Sequence, residues 1–494
     1  MEYIMEAIPL VFSPQALMIS LFGVVVGILI GSLPGLSSTM GVALFIPITY
    51  GMKPSDGLIL LGAIYMASTY GGSISAILIK TPGTPSAVIT AIDGYELTKQ
   101  GKGGEALSMS TIASTVGGII SCVALLFLSP LLAKLVTSFG APEMFLLSIL
   151  GLTIIVGLSK KSIVKGLLAG ILGMLVSTVG IDSITGEYRY TFEMVELFGG
   201  LSTVAIVIGV FSASQVFNLA SQKRATIQYE YDANQKLNMV SKKDLNKNWF
   251  NMFRSGVIGT LVGILPGAGV SIASALSYNA AKNVSKEPDL FGEGSLEGVC
   301  ASEAGNNGVV GGSLIPLLTL GIPGNAVSAV FLGGLIIHGL RPGPQLFTDH
   351  GAITYSLFLG LIVATLIMCL VGLVAAKYFA KVSTVPTNVL GPIIMTLCVI
   401  GAYSVANSTF NIYTMFIFGL IGFGMAELDY FPAAFILGLV LGPIAESEFR
   451  RSLLLSKGSY SIFLSSPICI GLVISIVFFV FYPYIKDIFL KNKN

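Results

Sequence analysis

Four Pro-Gly pairs interrupt apolar stretches of this chain: Pro34-Gly35, Pro82-Gly83, Pro266-Gly267 and Pro323-Gly324. Proline withholds a backbone donor and bars the preceding turn of helix. Glycine then admits backbone angles that other residues avoid. Each pair therefore ends one helical piece and starts another. The piece that starts presents free N–H groups and a positive dipole end, which suit an anion. The piece that ends presents free carbonyls, which suit a cation such as sodium. Small residues stand beside every break: Ser32, Ser37, Ser38 and Thr39; Thr81, Thr84 and Ser86; Gly269, Ser271 and Ser274; Asn325 and Ser328. The plain alternative is that each pair only kinks a packed helix. Four breaks in two pairs weigh against it, because functional breaks within a membrane occur in such pairs.

Charge inside apolar sequence is the second chemical signal. Lys80 directly precedes the Thr81-Pro-Gly break, after Ala76-Ile-Leu-Ile. It is either a counter-ion for a substrate carboxylate or a lysine that snorkels to an interface. Glu303, Asn306 and Asn307, spaced by three and four, share one helical face. They would ligate sodium, bind a substrate hydroxyl or carry a proton; the alternative is that Glu303 caps a helix start. His338 reads as a satisfied structural residue, and Arg341 as ordering its loop or facing lipid headgroups. Glu427 and Asp429 read as a helix end. His338 and His350 have no metal-ligand companions at useful spacing. There is no phosphate-binding GxxxxGK[ST] motif, so any pumping draws on an ion gradient or another subunit. No Ser-His pair, HExxH or catalytic aspartate pair points to an enzyme.

The elements that hold these residues must lie in a bilayer. The chain has 494 residues, 54% hydrophobic and only 11% charged, where soluble domains carry about a quarter. Apolar runs long enough to span recur throughout, as at Tyr355 to Ala376 and Ile462 to Tyr482. The net charge of +2 gives no basis for a nucleic-acid partner. The five cysteines form no CxxC pair and sit mostly in apolar sequence, so neither disulfides nor zinc is indicated. The start, MEYIMEAIPL, lacks a basic signal-peptide region, so its first apolar segment is expected to be retained.

Residues 218–254 differ: Lys223, Arg224, Lys236, Lys242, Lys243, Lys247 and Arg254 mark a polar connector, cytoplasmic by its charge. Walking back from it, Lys160, Lys161 and Lys165 fall inside, as do Lys99 and Lys102, and the loop at Asp182 to Glu196 falls outside. Arg450 and Arg451 fit this topology poorly.

The flanking halves resemble each other. Gly31-Ser-Leu-Pro-Gly-Leu recurs as Gly263-Ile-Leu-Pro-Gly-Ala. Gly71-Gly-Ser leading to Thr81-Pro-Gly-Thr recurs as Gly311-Gly-Ser leading to Ile322-Pro-Gly-Asn. Ala141-Pro has its counterpart in Val385-Pro. The order is kept at a spacing of about 240 residues. Membrane repeats of this kind usually belong to transporters, with the site at the repeat interface. Sequence leaves parallel and inverted arrangements open; paired broken helices favour the inverted one.

These motifs resemble the large membrane subunit of the tripartite tricarboxylate transporters, the TctA family. The match is carried by Gly31-Ser-Leu-Pro-Gly-Leu, Thr81-Pro-Gly-Thr-Pro-Ser, Asp93-Gly-Tyr and Lys99-Gln-Gly-Lys. In the second half it is carried by Gly263-Ile-Leu-Pro-Gly-Ala-Gly, Glu303-Ala-Gly-Asn-Asn, Ile315-Pro-Leu-Leu-Thr-Leu-Gly-Ile-Pro-Gly-Asn and His338-Gly-Leu-Arg-Pro-Gly-Pro. The resemblance implies a multi-pass subunit of the inner membrane that moves citrate or other di- and tricarboxylates, coupled to sodium or protons, by elevator-like movement. It also implies a small four-helix membrane subunit and a periplasmic solute-binding protein as partners. Lys80 departs from the family pattern, which has Asn there, and this puts the sodium stoichiometry in doubt.

The expectation is thus an all-α polytopic membrane protein with about 11–12 membrane segments. It divides into a first repeat (1–217), the connector (218–254), a second repeat (255–461) and an extra helix and tail (462–494). Ser32, Ser37, Ser38, Lys80, Thr81, Thr84, Gly269, Ser271, Asn325 and the four Pro-Gly pairs are expected around the substrate, with Glu303, Asn306 and Asn307 at the coupling ion. No cofactor is expected beyond that ion. An anion channel and a membrane-embedded enzyme are the competing readings.

Overall fold

The computed structural model describes residues 2–33, 36–157, 163–182, 184–221, 238–265, 269–382 and 387–491. The chain is built almost wholly of helices. The first half contributes α1 (Glu2–Val11), α2 (Pro14–Ser32), α3 (Ser38–Thr49), α4 (Pro54–Ile79), α5 (Ala87–Lys99), α6 (Gly103–Val136), α7 (Ala141–Gly157) and α8 (Ile163–Ser177). Then come α9 (Thr203–Val207), a π-helical stretch at Ile208–Ala213, and α10 (Ser214–Ser221). The second half contributes α11 (Lys242–Ile264), α12 (Gly269–Val284), α13 (Leu296–Leu320), α14 (Ala326–Ile337), α15 (Pro344–Thr348), α16 (Gly351–Val382), α17 (Thr387–Ser404), α18 (Thr409–Glu427), α19 (Pro432–Leu455) and α20 (Pro467–Lys491). Serine side chains cap the starts of α2, α3, α9, α11, α13 and α18, each satisfying a backbone N–H that lipid would leave bare.

Seven helices among the described residues are long and apolar enough to cross a membrane, and six shorter apolar helices accompany them. The protein is a multi-pass membrane protein. The expected connector is helical at both ends: α10 runs to Ser221, and α11 already begins at Lys242.

At the centre, α4 is buried along its whole length and lies against α13. The Tyr65 hydroxyl is 2.9 Å from Ser313 Oγ. Asn307 Nδ2 donates to the Met66 carbonyl and Asn306 Nδ2 to that of Thr69, both at 3.1 Å. Ser73 Oγ donates to Glu303 at 2.6 Å. As positions rise along α4 their partners fall along α13, so the two helices run antiparallel.

Around this core the halves exchange helices. First-half α8 crosses second-half α19 so closely that a Cβ on Gly173 would strike the Phe435 carbonyl, and one on Gly438 that of Gly170. The π-helical stretch of the first half crosses α18 of the second in the same way, Gly209 against the Met415 carbonyl and Gly422 against that of Val210. Backbones approach this closely only where side chains are absent, a common device for helix contact in lipid.

One end of the bundle carries lysines. There, Lys247 pairs with Glu287 at 2.8 Å, and Gln100 reaches the Glu293 carbonyl. Asp93 on α5 accepts N–H groups from Gly292, Gly294 and Ser295, and the Tyr278 hydroxyl. Elsewhere, a two-residue hairpin, Gly180–Ile181 with Tyr188–Arg189, is the only sheet among the described residues. It holds the counter-charges that explain Arg450. That guanidinium bonds Asp182 at 2.8 Å and Glu446 at 3.2 Å, while Arg189 bonds Glu446 at 2.7 Å. Arg450 therefore lies at the same end as the Asp182 loop, neutralised there by carboxylates. The backbone N–H of Ile184, then Arg450, hold the Asp182 carboxyl well below the usual carboxylate range.

Candidate functional site

The break after α4 starts with Lys80 in a left-handed conformation (φ 55°). The Thr81 N–H then bonds the Ser75 carbonyl at 3.3 Å and the Gly83 N–H bonds that of Gly72 at 3.2 Å. These bonds fold the chain back along α4 before α5 begins. The break after α13 repeats the course about 240 residues later. Gly321 is left-handed (φ 73°), the Ile322 N–H bonds Pro316 at 3.2 Å, and the Gly324 N–H bonds Ser313 at 3.3 Å. Glycine is required at Gly83 and Gly324, because a Cβ would run into the carbonyls of Gly31 and Gly263. The two breaks thus dock on the ends of α2 and α11. Beyond those ends, Pro34-Gly35 and Pro266-Gly267 lie outside the described residues, as do Val385-Pro, Lys160 and Lys161. The helices that follow, α3 and α12, start with Ser37 accepting from the Met40 N–H and with Gly269 left-handed (φ 73°).

The N-terminal ends of α3, α5, α12 and α14 line one cavity of about 210 Å³. Ser37, Ser38 and Thr39 come from the first, and Thr84, Pro85 and Ser86 from the second. Gly269, Val270 and Ser271 come from the third, and Asn325, Ala326 and Val327 from the fourth. Thr69 of α4 joins them, with Phe431 and Ala433 from the α18–α19 turn. None of these lining residues is charged. Positive potential comes instead from four helix N-termini, whose first N–H groups lack intrahelical acceptors.

Six residues expected at the substrate line this cavity: Ser37, Ser38, Thr84, Gly269, Ser271 and Asn325. Gly83 and Gly324 stand behind it, in the chain that forms the tips, with Pro82 and Pro323 beside them. Ser32 Oγ donates to the Leu29 carbonyl and Thr81 Oγ1 to that of Ile79, each a local helix-end contact. Lys80 is exposed, with its ammonium 5.3 Å from the Tyr95 ring centre and Lys99 at 5.1 Å from the same ring. Of its two readings, the interfacial one fits this placement.

Glu303 is fully buried in α13, two turns past the start that Ser295 caps. This removes the helix-capping alternative. Its carboxylate accepts from Ser73 (2.6 Å), Ser114 (2.9 Å), Ser110 (3.3 Å) and Thr90. Asn306 and Asn307 each donate to an α4 carbonyl, yet their Oδ1 atoms are buried with no hydrogen-bond partner among the described residues. Such acceptors are costly to leave unmade. Asn306 is anchored on Thr69, a cavity residue. No group of three His, Cys, Asp or Glu residues among those described could hold a metal ion. Oxygen from amides and carbonyls is the donor set present, the kind a hard monovalent cation takes. His338 differs from expectation: its Nε2 is buried without a hydrogen-bond partner among the described residues.

Sequence reasoning missed Thr69, Phe431 and Ala433 as cavity residues. Thr69 sits in a small-residue run, Met66-Ala-Ser-Thr, which offered a faint signal. Phe431 is one aromatic among many in apolar sequence and offered none.

Comparison with known proteins agrees with this architecture. Residues 17–437 match the family described as tripartite tricarboxylate transporter TctA. A protein of Agrobacterium vitis described as an uncharacterized 52.8 kDa protein in the TAR-I ttuC' 3' region is 37% identical over 452 residues, covering 91% of this chain and 89% of that protein. A second from the same organism, described as an uncharacterized protein in the TAR-II ttuC' 3' region, is 37% identical over 214 residues, 43% of this chain and 88% of its own length. No solved structure matches. With most of its length covered and the family's breaks drawn together around one cavity, this chain belongs to the TctA family of tripartite tricarboxylate transporters.

Proposed function

We propose that the chain is the translocating subunit of a secondary active carrier for di- and tricarboxylates in the inner (cytoplasmic) membrane. The observation that carries this reading is the convergence of four helix N-termini on one cavity without fixed charge. N–H groups and the hydroxyls of Ser37, Ser38, Thr84 and Ser271 hold the carboxylates. The unpartnered Oδ1 atoms of Asn306 and Asn307, beside α4 carbonyls, receive a sodium ion; a proton on Glu303 is the other coupling route. The antiparallel course of α4 and α13, together with their matching breaks, supports inverted repeats and alternating access of the elevator kind. Family membership supports a periplasmic solute-binding protein that delivers substrate and a small membrane subunit that accompanies this one.

The test is uptake of radiolabelled citrate and succinate into proteoliposomes, with the chain alone and with its companion subunits, under an inward sodium or proton gradient. Saturable uptake that follows one gradient is expected. Flux that never saturates and ignores both gradients would assign a channel instead.

A further inference from the structure

We infer that the preferred substrate of this cavity is a dicarboxylate with an apolar carbon body, and that Phe431 is the residue that selects it. The inference rests on the carboxylate reading above and narrows it.

Charge comes first. No lining residue is charged, so the fixed positive potential is that of four helix N-termini. Each is equivalent to roughly half an elementary charge, so together they supply about two. That matches two carboxylates. A fully ionised tricarboxylate would carry one negative charge more than the site balances, and an unpaired charge away from water is heavily disfavoured.

The walls come second. The helix ends present N–H groups and hydroxyls, but the rest of the lining is carbon. Phe431 and Ala433 form a wall that belongs to none of the four breaks. The turn that carries Phe431 is braced. Asp429 is left-handed (φ 60°), the Tyr430 N–H bonds the Met425 carbonyl at 2.8 Å, and Lys165 of α8 donates to the Leu428 carbonyl at 2.7 Å while lying 5.6 Å from the Tyr430 ring. Phe431 is therefore presented to the cavity by a fixed support. A methylene chain resting on its ring gains burial. A hydroxylated carbon face turned to the same wall loses water without gaining a hydrogen bond.

The experiment is uptake of labelled succinate into vesicles holding the chain and its companion subunits, with the coupling gradient fixed. Glutarate and citrate serve as competitors, in alkaline buffer where citrate is fully ionised. Glutarate is expected to compete at least about tenfold better than citrate, and Phe431→Ala to shrink that preference by about tenfold. Phe431→Leu, which keeps an apolar wall of similar bulk, should retain most of it and serves as the readout if Phe431→Ala fails to accumulate. Citrate competing as well as or better than glutarate overturns the inference, as does an equal loss of both competitors in Phe431→Ala; each leaves the carboxylate reading standing. Absence of uptake and competition for every carboxylate, in vesicles whose chain is folded, defeats the carboxylate reading as well.

Discussion

The breaks after α4 and α13 share a left-handed first residue and the same pair of backbone hydrogen bonds, but they are tied down differently. Asn325 forms a reciprocal cap with Ser328, and its Nδ2 donates to the Tyr65 hydroxyl at 2.7 Å, which in turn meets Ser313. The second tip is thereby bonded to the opposite half. At the first tip, Ser86 forms no side-chain cap, and Thr84 meets only Ser86, at 3.2 Å, among the bonds drawn here. The residue about 240 positions beyond Tyr65 is Asn306, whose Oδ1 has no partner. One tip is thus closed by protein hydrogen bonds, while the corresponding place at the other keeps an acceptor open. Shared backbone geometry builds the two tips; side chains assign one to holding shape and the other to receiving a ligand.

The strongest way to break this comparison is to deny either tip its close approach. Gly83→Ala and Gly324→Ala should each cut uptake about 100-fold or more, because overpacked backbone has nowhere to go. If Gly83→Ala alone is tolerated at equal membrane abundance, the tips are not equivalent. Next, Asn306→Ala should weaken the apparent affinity for the coupling ion by about tenfold, on the scale of a lost charge-bearing hydrogen-bond acceptor. Tyr65→Phe should leave ion dependence alone and cost about 1 kcal/mol of stability. Titrating sodium or proton dependence in both variants checks the pair; reversed effects would exchange the roles assigned to the tips. A cap lost in Asn325→Ala should lower stability by about 1 kcal/mol, read as a shift in thermal unfolding in detergent.

Smaller effects lie away from the cavity. Asp182 titrates below its ordinary range, so its contribution is present at neutral pH and is lost only as pH falls through the depressed value. Asp182→Asn should therefore lower thermal stability slightly in neutral buffer, and the gap from the parent should close in strongly acidic buffer. A gap that persists there would mean the loop is held by something other than this carboxylate. Lys80→Gly is expected to do least: it swaps in the residue type found at Gly321, relieving left-handed backbone that costs roughly 1–2 kcal/mol while losing a cation–π contact of comparable size. A marked drop in substrate affinity in this variant would restore the counter-ion reading of Lys80.

The breaks were legible because Pro and Gly act locally; nothing distant decides whether Pro82 can continue a helix. The face shared by Glu303, Asn306 and Asn307 was legible for the same reason, since helical spacing fixes it. What that face meets was not. Four hydroxyls around Glu303 come from α4, α5 and α6, and only packing brings them together. Arg450 looked misplaced because charge counting along a chain does not see Asp182, which lies 268 residues away. Phe431 reaches the cavity through the crossing of α18 and α19 with first-half helices, a tertiary outcome with no local pattern. Gly170 with Gly173, and Gly419 with Gly422, were visible as spaced glycines, but their partners were not.

The exchange of helices between halves also sets an order of events during synthesis. The glycine surface of α8 has no protein partner until α19 has been made, and the π-helical stretch waits likewise for α18. At about 5–20 residues per second, the first half resides in the membrane for on the order of tens of seconds with those surfaces turned to lipid or to a chaperone. A ribosome that stalled in the connector would leave behind a half-protein that cannot complete its own packing.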